Sequence, residues 1–279
     1  MAKIRRQLKV NERDDQLPRT RWKLFGRLIK DDFYLLIDLS LVETLFSIPL
    51  IATLIVEYVY LTSVEVKFGN VFPIIFYMGL ISVVGFGIKY VGRNAAFSVM
   101  KKRVHNEGSF ISVAVMSSIR TSGIKSLFNG LIAGLFAFIA ASGSVYLLFV
   151  SDTFLKWAGI GALIVLFVIA FGTAEYFSVS ENFYELGFFA QFKNSVIFSV
   201  STFPLTLVHF IAFFGLRFAL ALFSPWLAIA ALAVFSLGGN GLTVAAATLV
   251  GHKVFDVHIN REYYPEYVDK GLLKKNEVE

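Results

Sequence analysis

The sequence predicts an all-α, polytopic membrane helix bundle of six transmembrane helices, and three observations carry that prediction. Apolar runs of similar length recur at about 39–60, 71–91, 127–150, 157–174, 196–216 and 226–250. A hydrocarbon core of roughly 30 Å is crossed by about 20 helical residues, each rising 1.5 Å. Composition agrees: 56% of residues are hydrophobic, 16% are charged and the mean hydropathy is +0.68. A water-soluble chain of this make-up would expose large apolar patches. Third, Lys and Arg gather in alternate connections. Ten precede Asp31, seven lie from Lys89 to Lys125 and five follow from Lys253, while Lys67, Lys156 and Arg217 stand alone in the others. Cytoplasmic connections carry the excess of Lys and Arg, so both termini are expected in the cytoplasm of a cell-membrane protein. The 175–195 connection, with only Lys193, is cytoplasmic by parity alone.

Three regions follow: a basic leader at 1–32, a six-helix transmembrane domain at 33–252 and a cytoplasmic tail at 253–279. Asn11-Glu12-Arg13-Asp14-Asp15 and Pro18 make the start of the leader too polar to bury a core. Trp22, Phe25, Leu28 and Ile29 then recur at helical spacing among Lys and Arg, predicting a short helix on the inner leaflet. The leader lacks the small-residue cleavage site of a signal peptide, so the first run reads as a retained anchor. Tyr58, Tyr60, Phe72, Trp157 and Trp226 mark span ends, where aromatic rings favour the headgroup region. Residues 95–120 and 181–193 are amphipathic and predict interfacial helices. Their Phe97, Met100, Phe110, Met116, Phe188 and Phe189 are candidate partner-docking residues. In the last span Gly238-Gly239-Asn240-Gly241 weakens the helix, and Gly130-xxx-Gly134 in the third marks close packing.

Ionisable groups inside a bilayer are costly and are the natural candidates for a functional site. Glu43 and Glu57 enclose 13 residues, about 20 Å of helix against roughly 30 Å of hydrocarbon. At least one carboxylate is therefore expected inside the bundle. His209, Arg217 and Asn240 complete the candidate intramembrane polar site, with contacts between Glu43 and His209 or Glu57 and Arg217 conceivable. No His-Glu-x-x-His, Walker phosphate loop or Gly-x-Ser-x-Gly occurs. With no Cys, disulfides and thiolate metal sites are excluded. No catalytic residue, metal or cofactor is expected, nor nucleic-acid binding.

Pro49 and Thr53, Ala95-Ala96-Phe97, Lys101-Lys102-Arg103, Glu107-Gly108, Arg120, Lys125, Asn194 and Phe203-Pro204-Leu205-Thr206 form a diffuse pattern over about 33–270. In this pattern the chain resembles the YesL-like family of bacterial membrane proteins, a domain of unknown function. It departs from that family at Val115-Met116 and Gly123. The resemblance implies a six-span inner-membrane protein of mainly Gram-positive bacteria, linked with carbohydrate uptake by ATP-binding-cassette systems. The expected role is a non-enzymatic accessory subunit contacting the permease. The alternative is a self-sufficient secondary transporter or channel using the intramembrane polar residues.

Overall fold

The computed structural model describes residues 17–107, 110–215 and 224–273, and every regular element among them is helical. Helix α1 (Arg21–Asp31) opens at Thr20, whose hydroxyl accepts from the Lys23 N–H. Its Leu24 and Leu28 turn into the bundle. Helices α2 (Phe33–Thr62), α3 (Phe68–Val104), α4 (Ile111–Leu148) and α5 (Thr153–Phe183) follow. Then come α6 (Phe188–Ser201), α7 (Phe203–Phe210), α8 (Pro225–Val234) and α9 (Asn240–Phe255). Five helices are long and apolar enough to cross a membrane: α2, α3, α4, α5 and the run Ile229–Tyr263 containing α9. The chain is a multi-pass helical membrane protein.

The run expected as a fifth span at 196–216 is not one unbroken helix. It is divided into α6 and α7, and a π-helical turn at Ile211–Gly215 follows. The break has a local cause. Pro204 has no N–H to give to the preceding turn, and Thr202 leaves the helical region at φ −109°, ψ 31°. The Thr202 hydroxyl returns a hydrogen bond to the Phe198 carbonyl at 2.7 Å. The last run bends similarly at Phe235–Gly239, where the backbone adopts a π-helical turn.

The interfacial helices expected at 95–120 and 181–193 are also replaced. Residues 95–104 continue α3, and 111–120 open α4. Ala95, Ala96, Phe97 and Met100 are buried; the last three share a core cluster with residues of α1, α2, α5 and α9, so their apolar face meets protein. Residues 181–193 hold the end of α5, a non-helical Tyr184–Gly187 link and the start of α6.

Two kinds of contact set the packing. Gly130 and Gly134 of α4 sit against the backbone of α3, where an added Cβ would lie 2.6 Å from the Phe86 carbonyl oxygen or 2.9 Å from Val83 Cα. Gly241 at the start of α9 is tighter still against the Leu36 carbonyl, and its N–H donates to Ser40 Oγ at 2.7 Å. Small residues let membrane helices approach this closely. Elsewhere the core gathers at the end of the bundle that holds α1, the ends of α3 and α5 and the C-terminal segment. Leu28, Leu36, Met100, Val104, Phe183, Phe255 and Leu272 form it.

Candidate functional site: a charge cluster inside the bundle

Arg93 of α3 is the centre of the site. Its guanidinium is buried and grips Glu175 of α5 bidentately, Nε to Oε1 and Nη2 to Oε2, both at 2.6 Å. Its Nη1 donates to Glu43 Oε2 of α2 at 2.7 Å and to Thr243 Oγ1 of α9 at 3.2 Å. One side chain thus ties four helices. Tyr90 OH donates to Glu175 Oε1 at 3.3 Å, and the Phe97 ring lies 5.2 Å from the guanidinium carbon. Arginine suits the place because its planar fork matches a carboxylate and is always charged.

The three charged residues lie ten, eleven and eight residues from the helix ends at Phe33, Val104 and Phe183, about 12–17 Å along each axis. All three side chains are buried deep within the bundle. Two carboxylates face one guanidinium, and the Lys89 ammonium supplies the second positive charge. Two further groups border it: Lys89 Nζ is 4.0 Å from Glu43 Oε1, and His209 Nε2 is 3.8 Å from Glu175 Oε2. His209 projects from α7, so the divided helix supplies a wall of the site. Beside the Glu175–His209 pair lies a 20 Å³ cavity lined by Phe171, Gly172, Tyr176 and Thr206 among others, room for about one water.

Of the expected polar residues, Glu43 and His209 meet here through Arg93 and Glu175, with no direct bond between them. Asn240 is buried beside the cluster but donates to Thr44 Oγ1 at 3.2 Å. Glu57 stands 14 residues beyond Glu43, about 21 Å along α2, and takes no part. Arg217 lies outside the described residues.

Lys89, Tyr90, Arg93 and Glu175 are absent from the sequence-based candidates. The apolar runs end at 91 and 174, so Arg93 and Glu175 fall just past them and look like interfacial charges. A signal was present: Ala95-Ala96-Phe97 resumes apolar character directly after Arg93, as expected of a charge flanked by buried helix on both sides.

Of the docking candidates, Phe97 and Met100 are 1% and 0% exposed and are core residues, so no partner reaches them. Phe188 is half-buried and packs on Phe177 at 5.2 Å between ring centroids. Phe110, Met116 and Phe189 are exposed.

A second polar cluster clasps the leader to the tail. Arg21 of α1 pairs with Asp256 and lies 3.4 Å from Asp269, and its Nη1 lies 3.0 Å from His252 Nδ1. The Leu273 N–H donates to the Pro18 carbonyl, and Asn260 links Asp256 to Tyr184. Burial lowers the Arg21 pKa against the pull of Asp256 and Asp269. Burial likewise raises that of the Tyr184 phenol, with Asp256 adding to it. His105, at the end of α3, is packed among the rings of Phe183, His252 and Tyr267 with neither ring nitrogen hydrogen-bonded. Burial pushes its pKa down to about 3, and the positive charges of Lys270, Lys101 and Arg21 and the His252 ring add to the shift.

No family model, curated protein or solved structure matches this chain.

Removing one partner from a buried ion cluster leaves its charges uncompensated, at a cost of about 3–5 kcal/mol. Arg93→Met is therefore expected to destabilise the detergent-solubilised protein by about that amount. Adding Glu43→Gln and Glu175→Gln to Arg93→Met should restore much of the loss in thermal unfolding. The clasp gives a pH prediction. His105 has a folded pKa of about 3 against about 6.5 unfolded, so its neutral form favours folding above the unfolded value. That contribution is lost as pH falls from about 6.5 towards the folded pKa. The melting temperature should drop on acidification through this window, and by less in His105→Phe.

Proposed function

We propose that this chain is a non-enzymatic transport protein of the cell membrane, with the Arg93 cluster as its working centre and α7 as its moving element. The observation that carries the reading is His209 on a divided helix, facing Glu175 across a small cavity inside the bundle. Intramembrane ionisable groups mark pathways by default, and broken helices beside them form the binding sites of many transporters. Carboxylates, an imidazole and an ammonium gathered in one low-dielectric site are groups that exchange protons or bind ions. No nucleotide motif accompanies it, so the driving force in this reading is a solute or ion gradient.

Six crossings with both termini cytoplasmic fit this reading. The clasp between Arg21 and Asp256, and between Pro18 and Leu273, supports leader and tail on one face, which requires an even number of crossings. The divided α6–α7 segment provides the sixth. The basic leader supports the cytoplasmic side for that face.

A second reading is favoured by exposed Phe110, Met116 and Phe189 and by the YesL-like resemblance. It makes the chain an accessory subunit of an ATP-binding-cassette carbohydrate uptake system, docking on the permease through these residues.

The purified chain in liposomes is expected to move a solute from a broad panel. Glu43→Gln and His209→Ala should abolish the flux per folded molecule, the yield being normalised because Glu43→Gln also removes a partner of Arg93. An intact chain that moves nothing, yet copurifies stoichiometrically with permease subunits from native membranes, would give the accessory reading its place. The crossings are separately testable because the chain has no native Cys. Single cysteines at Asn106, Glu185 and Glu266 should react with an impermeant thiol reagent from the cytoplasmic face, and those at Ser63 and Ser151 from the other. Glu266 reacting on the opposite face from Asn106 would refute the even count.

A further inference from the structure

Helix α2 has two further carboxylates that the charge cluster does not explain, Glu57 and Asp38, and Asp38 lies beside a groove. Its inward stripe is Leu36, Leu39, Ser40, Glu43, Ser47 and Leu50. Asp38 belongs to the opposite stripe, with Tyr34 at 83%, Leu41 at 49% and Leu45 at 63% exposure, the face such a helix turns to lipid. It lies six residues beyond Asp32, which pairs with Arg103 at the end of α3. Six residues place it about 9 Å farther along the helix than that pair. Asp38 is exposed and has no hydrogen bond or ion pair among the described residues. It borders an open 630 Å³ groove between α2 and the start of α4, lined by Leu41, Val42, Phe110, Ile111, Ser112 and Val115. Among the described residues the walls are apolar apart from the Ser112 hydroxyl, and Asp38 is the one charged lining residue.

We infer that this groove is a lipid site selective for an amine-headgroup phospholipid, phosphatidylethanolamine in chemistry. The occupant must enter from the bilayer, bring a cation to Asp38 and cover apolar walls with acyl chain. A primary ammonium carries three N–H donors and hydrogen-bonds a carboxylate directly. The quaternary ammonium of a choline lipid has none, and an anionic lipid brings the wrong charge. Ser112 supplies a donor for the headgroup phosphate. The site is separate from the Arg93 cluster, because Asp38 and Glu43 lie on opposite stripes of α2, and it is independent of whether the protein transports a solute.

The test is competitive lipid retention. The full chain is purified in mild detergent, equilibrated with equal amounts of dioleoyl phosphatidylethanolamine, phosphatidylcholine and phosphatidylglycerol, and examined by native mass spectrometry. Wild type should retain the ethanolamine lipid over the choline lipid by roughly tenfold, the ratio expected from one charge-assisted hydrogen bond. Asp38→Asn should bring the two to parity at an unchanged melting temperature, and Asp38→Glu should keep the preference. The assignment falls if wild type does not discriminate, if Asp38→Asn retains the preference, or if phosphatidylglycerol dominates. It also falls if Asp38→Asn leaves lipid retention unchanged but releases a stoichiometric partner protein, because the groove would then hold that partner's basic side chain.

Discussion

A guanidinium held inside an apolar bundle is the constraint on which the rest of this structure depends. Arg93 cannot lose its proton and cannot reach water from its depth in α3, so the fold must bring it acceptors. Glu175 fills one side of the fork and Glu43 the other, with Thr243 beside it. These residues come from α2, α5 and α9, which can meet Arg93 only if all three surround α3. The ionic contacts therefore fix the arrangement of the bundle as much as its packing does. In a lipid solvent, where apolar side chains gain little by leaving the hydrocarbon for protein, such contacts become the chief source of specificity.

Close approach is what allows them. Gly130 and Gly134 bring α4 against α3, and Gly241 brings α9 against α2 next to Thr243 and Asn240. A larger residue at Gly241 would meet the Leu36 carbonyl and move the Thr243 hydroxyl away from the guanidinium. The glycines that weaken the last helix as an isolated segment are the same ones that seat it. The break at Thr202 plays a comparable part on the other side. It lets α7 change direction so that His209 reaches Glu175.

The two ends of the bundle are unequal. One is bound by buried apolar side chains, the Arg21–Asp256 clasp and the rings around His105. The other holds partly exposed rings such as Phe68, Phe72, Tyr146 and Phe149, stacked edge to face and side by side. Among the described residues, the end that holds the clasp is the more deeply buried of the two.

Much of the fold was legible in the sequence because the bilayer imposes a single length scale. Each of α2, α3, α4 and α5 contains an apolar run long enough to cross, and that requirement is local. The extensions of α3 and α4 past 91 and before 127 were not legible. Residues such as Phe97 and Met100 show the same amphipathic pattern whether their apolar face meets a headgroup layer or other helices. The candidate site divided in the same way. Glu43 was identifiable because its own helix leaves it no route to water, and His209 because it interrupts an apolar run. Arg93 and Glu175 sit at the ragged edges of such runs, and only their meeting across 82 residues of chain shows that both are interior. The sequence by itself determined that the chain crosses a membrane repeatedly, because burying backbone in lipid is a requirement of each segment alone. Only the tertiary structure decided which charges are buried together, because a buried ion is tolerated through partners that are distant in sequence.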